Sequence, residues 1–396
     1  MMDDISQLAR QMLLDWALRS QILAGELTDE SSRLSDSGFL WLEDLRHSPP
    51  EEASRKLWAS ALANRKSSWS QLYDMLDPHL LAIRKEMFRI IRSMNGNERY
   101  EEMIKSVIRH WPGSVTRTPS SVIWMLAITK STLDYIPASI YSLAAACAFY
   151  YQGVVIFDDI ADGELEPICA TWPRGQVEHL AYSMSAALPL AAIIRLACPA
   201  DVKMQILQEF TQAIWVTNIG QFEDIATNGL IQLSEEQSEM IAQLKTGIGI
   251  ARLSRMACRF LGLNDETTNR WEQATLAFAS ARQIASDVCD LWCKPFSPDI
   301  ASGKCTLPIA YALQQLDSDA LQAFQGLRRR CQYEQALHQQ LRVQLEQMDV
   351  LKYTQRRLEQ WRERGQRLLD ELPASETVQH WIHTWARQAD IFGDIC

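Results

Sequence analysis

The segment Phe157-Asp158-Asp159-Ile160-Ala161-Asp162 places three carboxylates on one short stretch, where the apolar run from Ile136 to Phe157 ends. On a helix, Asp158 and Asp162 are i and i+4 and share a face, with Asp159 beside them. Like charges crowded in this way repel one another. They stay ionised if water solvates them or if divalent cations sit between them. Hard oxygen donors suit Mg2+, which takes one or two carboxylates together with substrate phosphates. The triplet therefore reads either as a solvated acidic helix end or as a Mg2+–diphosphate site.

A second acidic pair lies in Gln283-Ile-Ala-Ser286-Asp287-Val-Cys-Asp290. Asp287 and Asp290 are i and i+3, with Gln283 one turn earlier on the same face. The segment is otherwise apolar, so these carboxylates emerge from a core-facing helix. Carboxylates on facing helices are a standard way to place metals inside a bundle. Between the two clusters lie Gly220-Gln221-Phe222-Glu223-Asp224-Ile225 and Lys245-Thr246-Gly247. Lys245 sits in an apolar helical stretch, where a lysine either snorkels to water or meets an anion. Lys304, in Asp299-Ile-Ala-Ser-Gly303-Lys304-Cys-Thr306-Leu307-Pro308, stands just ahead of a helix start, where backbone amides also favour an anion.

Helices must carry these residues, because strand signals are absent. Periodicity predicts helices over 69–93, 98–111, 120–133, 137–162, 175–197, 201–226, 235–262, 266–292, 306–315, 318–349, 352–372 and 375–392, preceded by others before residue 69. The fold class is all-α, a bundle of roughly a dozen or more helices around buried ones. Residues 1–110 read as a separate helical layer packed on the core. The stretch Ile136–Phe157 is long enough for a membrane span, yet Ser139, Ser142 and Gln152 interrupt it and acids follow at once. It reads as a buried central helix, with no stable membrane insertion.

The composition is that of a globular protein, 47% hydrophobic and 22% charged. A net charge of −10 without a basic run argues against a nucleic-acid partner. The N-terminus Met1-Met2-Asp3-Asp4 lacks the basic and apolar parts of a signal peptide. The 9 cysteines show no zinc-like pairing and read as reduced thiols of a cytoplasmic protein.

In order, the segments at 158–162, 220–225, 245–247, 283–290 and 299–308 resemble the trans-isoprenyl diphosphate synthase family, whose fold is shared by class I terpene synthases. The resemblance spans about 115–315. It implies the isoprenoid synthase fold, a helical bundle around a central apolar cavity, over 111–396. It implies roughly two or three Mg2+ ions, held by Asp158, Asp159, Asp162, Asp287 and Asp290, with Asp158, Asp162 and Asp287 as the catalytic set. The diphosphate falls to Lys245, Lys304, Arg117 and Gln283, and the prenyl tail to Tyr150, Gly153, Val154, Phe157, Gln221 and Phe222. Phe149, Trp215 and Phe278 are further aromatic candidates against an allylic cation. A homodimer is also expected.

The sequence departs from this family at three places. Ser286 stands where elongating members carry the first aspartate of the second pair. The upstream cationic segment reduces to Pro112-Gly-Ser-Val-Thr-Arg117-Thr-Pro119, and the paired arginines after the first motif reduce to Arg174. A second diphosphate needs several cations. These losses favour a terpene synthase that ionises one prenyl diphosphate, of C20 with C15 next because Gly153 leaves room. The substrate is either linear or already cyclised. The alternatives are a prenyltransferase or polyprenyl diphosphate synthase, or a non-catalytic subunit of one.

Overall fold

The computed structural model describes Leu72, residues 75–110 except 95, residues 120–292 except 164, 166, 230 and 231, and residues 297–386. Among these residues there are helices and no strand. Helix α1 covers 75–93, α2 Glu98–His110, α3 Ser120–Leu133, α4 Ala138–Asp162 and α5 Pro167–Ala170. Helix α6 runs Arg174–Ile194 through a π-helical turn, Ser183–Ala187. Helix α7 is Ala200–Ala226. Helix α8 joins Glu235–Ala242, a second π-helical turn Gln243–Gly247, and Ile248–Phe260. Then come α9 Asp265–Trp292, α10 Pro298–Ser302, α11 Leu307–Gln314, α12 Ser318–Cys331, α13 His338–Gln347, α14 Val350–Asp370 and α15 Glu376–Ala386.

The centre is built on α3. Its residues Val122 to Ile128 are at most 1% exposed, so this helix is apolar all round and buried all round. Trp124 meets Trp271 edge-on at 6.3 Å, Trp385 at 5.8 Å and Phe278 at 5.9 Å. Removing such a side chain leaves a cavity that typically costs about 3–5 kcal/mol. Helices α4, α8 and α15 pack on α3, α8 lies between α7 and α9, and α14 covers α9. Helices α1 and α2 contribute Leu76, Ile90, Ile91 and Ile108 to the same apolar cluster as Trp124. The boundary expected at 110 borders residues 111–119, which lie outside the described ones.

Two helices, Ala138–Asp162 and Arg174–Ile194, are long and apolar enough to cross a membrane, but 67% of the first one's apolar window is buried inside the molecule. Burial among other helices explains its composition.

The expected helix over 318–349 is a correction. It breaks after Cys331 and restarts at His338 through a short 3-10 turn, Gln335–Leu337. Apolar spacing continues across the break because Phe324 and Leu327 on one side, and Leu341 and Leu345 on the other, pack into one cluster.

Candidate active site

Six elements bring carboxylates and lysines to one end of the bundle. Asp158 and Asp162 occupy the last turn of α4, which Gly163 closes in the left-handed conformation at φ 73° by donating its N–H to Asp159 O. The Gln221 side chain of α7 donates to Asp158 Oδ1 at 2.7 Å. Lys245 Nζ lies 3.2 Å from Asp158 Oδ1 and 2.8 Å from Asp224 Oδ2. Lys304 Nζ lies 3.1 Å from Asp224, 3.2 Å from Asp299 and 3.6 Å from Asp162. On α9, Gln283 donates to Asp287 Oδ1 at 2.8 Å and accepts from the Thr246 hydroxyl. Asp287, Gln283, Lys245 and Asp224 line one small pocket together with Thr227, Ser238 and Thr306.

Local structure explains the meeting of α7 and α8. Lys245 and Thr246 sit on the π-helical turn of α8, where the extra residue pushes the backbone outward. Gly220 of α7 lies against that bulge. A Cβ there would stand 2.1 Å from Lys245 N, so only glycine allows the approach. Gly153 of α4 meets the other π-turn in the same way, with a Cβ position 2.3 Å from Ser185 N.

The electrostatics are those of an anion-rich site bridged by two ammonium groups. Burial alone would lower the Lys304 ammonium, but Asp299, Asp224, Asp162 and Asp158 outweigh it and hold it above its ordinary pKa. Lys245 is raised against its burial by Asp158 and Asp224. Asp224 is desolvated, yet the two lysines keep it below the ordinary carboxylate range. Burial raises Asp162, and Asp158 and Asp299 add to the rise. Asp287 is pushed well up by desolvation, then by Asp299. Asp299 is raised by burial, with Asp290 and Asp224 contributing.

Asp162, Asp287 and Asp299 thus face more carboxylates than the two lysines offset, which holds them toward protonation and leaves oxygen donors for a cation. That donor set, all hard oxygen, fits a divalent cation such as Mg2+. No three acidic, cysteine or histidine groups among the described residues converge tightly enough to cage an ion alone. This suits Mg2+, which keeps water and takes one or two carboxylates plus phosphate oxygens.

The structure brings Asp158, Asp162, Asp287, Lys245, Lys304, Gln283 and Gln221 to this end of the bundle. Asp159 and Asp290 lie on the same helix turns as their neighbours. Arg117 falls outside the described residues. Asp224 and Asp299 carry no role in the sequence reading, although both lie in segments quoted there. Their signals were Asp224 three residues after Gln221, and Asp299 across the Gly303 turn from Lys304.

The expected prenyl pocket needs correction. Gly153 leaves no room for a tail, because its missing side chain is the contact with α6. Phe222 is 69% exposed, Trp215 66% and Phe157 39%, so these rings face outward. Tyr150 is buried against Phe210 at 5.6 Å, and Val154 packs on the main apolar cluster. Phe149 is fully buried, and Phe278 is wedged between Trp124 and Gly365. Gln221 serves Asp158.

Comparison with known proteins places this geometry among relatives. The fold resembles geranylgeranyl pyrophosphate synthetase from Pyrococcus horikoshii Ot3, at 18% identity and a TM-score of 0.68, over 82% of this chain and 98% of that one. It resembles a decaprenyl diphosphate synthase from Rhodobacter capsulatus, at 15% identity and a TM-score of 0.69, over 81% and 98%. It also resembles a polyprenyl synthase from Caulobacter crescentus CB15 complexed with calcium and isoprenyl diphosphate, at 16% identity and a TM-score of 0.68, over 82% and 97%. No curated protein matches by sequence. The family model for polyprenyl synthetase matches residues 98–343, from α2 through α13, and the chain belongs to that family.

Proposed function

We propose that this protein is a Mg2+-dependent prenyl-transferring enzyme, which ionises an allylic prenyl diphosphate and joins the prenyl fragment to an acceptor. The observation that carries this is the placement of Lys245 and Lys304 between the carboxylates of α4 and those of α7 and α10. A diphosphate entering there would take the two ammonium groups as partners. When bound, Mg2+ would neutralise leaving-group charge, with Asp158, Asp162, Asp287 and Asp290 as its donors. Asp224 and Asp299 keep both lysines protonated and aimed at the site. Gln221 and Gln283 fix the rotamers of Asp158 and Asp287. Family membership supports transfer over the cyclisation favoured by sequence reading. The solved relative with calcium and isoprenyl diphosphate supports both the ligand class and a divalent ion.

A second reading, an acceptor-free terpene synthase, keeps one observation in its favour. Arg174 is 70% exposed and pairs with Glu178 of its own helix rather than with the carboxylates of the site. The basis for a C20 preference is gone with Gly153.

One experiment separates the readings. The purified chain is incubated with Mg2+ and farnesyl or geranylgeranyl diphosphate, with and without isopentenyl diphosphate. A longer diphosphate made only with the acceptor supports transfer. Terpene hydrocarbon or alcohol without acceptor supports the cyclase. No diphosphate release from any mixture would indicate a non-catalytic subunit.

We also infer a homodimer from an outward apolar face. Met204, Trp215 and Phe222 on α7 and Tyr182 and Ile194 on α6 are each at least 60% exposed. The 7 free cysteines among the described residues, none bridged, suit a reducing, cytoplasmic setting.

A further inference from the structure

The turn that carries Lys304 is held from outside at four successive carbonyls. Ser302 O accepts from Gly229 N at 2.9 Å and from Gln332 Nε2 at 3.2 Å. Gly303 O and Lys304 O both accept from Arg328 Nη2, at 3.0 and 3.2 Å. Cys305 O accepts from Ser238 Oγ at 3.2 Å. Within the turn, Lys304 N donates to Asp299 O at 2.9 Å, and Gly303 takes a φ of 71° that only glycine adopts without strain.

Arg328 is the unusual member of this set. It is 2% exposed, on a helix whose neighbouring inward residues are Phe324, Leu327 and Cys331. Among the described residues no carboxylate stands within ion-pair distance of it, and its Nη1 has no hydrogen-bond partner. Burial lowers its pKa. An arginine so placed is costly, because a buried charge without a counter-charge loses its hydration and gains little in return. A leucine or methionine would fill the same space without that cost. What the guanidinium adds is a charged donor gripping the carbonyls on either side of the Lys304 Cα, and a positive charge behind a site meant for anions.

We propose that Arg328, with Gln332 one turn on, is a positioning residue for the diphosphate lysine. Helix α12 packs Phe324 and Leu327 in one apolar cluster with Ile300 and Cys305, and its polar grip on the backbone of 302–304 fixes where the Lys304 ammonium stands among Asp162, Asp224 and Asp299. Without it, the turn can shift and Lys304 falls back on whichever aspartate is nearest. The proposal rests on the reading of Lys304 as a diphosphate partner.

The test is a double-mutant cycle read by calorimetric binding of inorganic pyrophosphate with Mg2+. Arg328→Gln is made in the native chain and in Lys304→Ala. Losing a charged hydrogen-bond donor is expected to weaken pyrophosphate about tenfold in the native background, and less than about twofold once Lys304 is gone. Equal losses in both backgrounds, or no loss in either, overturn the proposal and leave Arg328 with a purely structural part. If Arg328→Gln does not fold, Gln332→Ala carries the same cycle, with a loss of about threefold expected in the native background only. If the native chain itself binds no pyrophosphate, the reading of the site fails first and the proposal falls with it.

Discussion

Asp224 and Asp287 belong to one pocket, yet pH acts on them in opposite senses. Asp224 faces both lysines and is held ionised, whereas Asp287 is held toward its protonated form, first by desolvation and then by Asp299. A carboxyl whose folded pKa is raised binds its proton more tightly in the folded chain. Its contribution to stability is therefore present at low pH and lost as pH rises above the unfolded carboxylate value. Asp287→Asn removes that loss and keeps an acceptor for Gln283. In metal-free buffer the variant should melt higher than the native chain at pH 7.5, by a margin on the order of a few degrees. The gap should narrow as pH falls and close only near the unfolded carboxylate value, by about pH 4, and calorimetry at the two pH values checks it. The same substitution should weaken Mg2+-dependent turnover. Asp158→Ala should lower diphosphate release by about two to three orders of magnitude, with little change in melting, since Asp224 still pairs Lys245. Full activity in Asp158→Ala would remove Asp158 from the site. The shared faces of Asp158 with Asp162 and of Asp287 with Asp290 were legible in sequence from i+4 and i+3 spacing. Asp224 and Asp299 were not, because their role depends on which helix lies opposite. Phe222 misled for a related reason: spacing says which residues share a face, but not which face turns inward.

Helix identity was readable almost throughout, as at α7, expected over 201–226 and found at Ala200–Ala226. The two π-turns were not readable, since one extra residue in a turn leaves the apolar pattern nearly intact. They matter more to the site than any helix boundary. Each is met by a glycine of the facing helix, Gly153 at Ser185 and Gly220 at Lys245. Gly220→Ala should force α7 and α8 apart at Lys245. We expect a loss of about 1–3 kcal/mol in denaturant melts, together with weaker substrate binding. Gly153→Phe should fail to fold or melt far lower, and any folded fraction should keep its chain-length preference. A shortened preference in a stable Gly153→Phe protein would restore Gly153 to the prenyl pocket. Gly326 is the control. It lies inside α12 with open space where a Cβ would go, so Gly326→Ala should stabilise by about 0.5–1 kcal/mol without touching activity.

At the scale of the whole molecule, the high tryptophan count divides by position. Trp124, Trp271 and Trp385 form the centre around α3, whereas the stretch read as central in the sequence was Ile136–Phe157. Trp215 lies outside it. Met204, Thr211, Trp215 and Phe222 recur at steps of seven, four and seven, a helical stripe on α7, and that stripe faces solvent. Ile194 is exposed as well, at the end of the Leu188–Ile194 segment of α6 that packs against α7. An exposed apolar patch made by two packed helices is the kind of surface that a second copy covers by two-fold symmetry. The site lies at the end of α4 and is not formed from this face, so association and chemistry should separate. Trp215→Glu combined with Phe222→Lys places charge in the middle of the stripe. Light scattering should report a dimer for the native chain and a monomer for the double variant. Pyrophosphate binding should persist in that monomer, because Gln221, Asp224 and Lys245 keep their partners. A native chain that scatters as a monomer at high micromolar concentration would show that this face serves something other than a second copy.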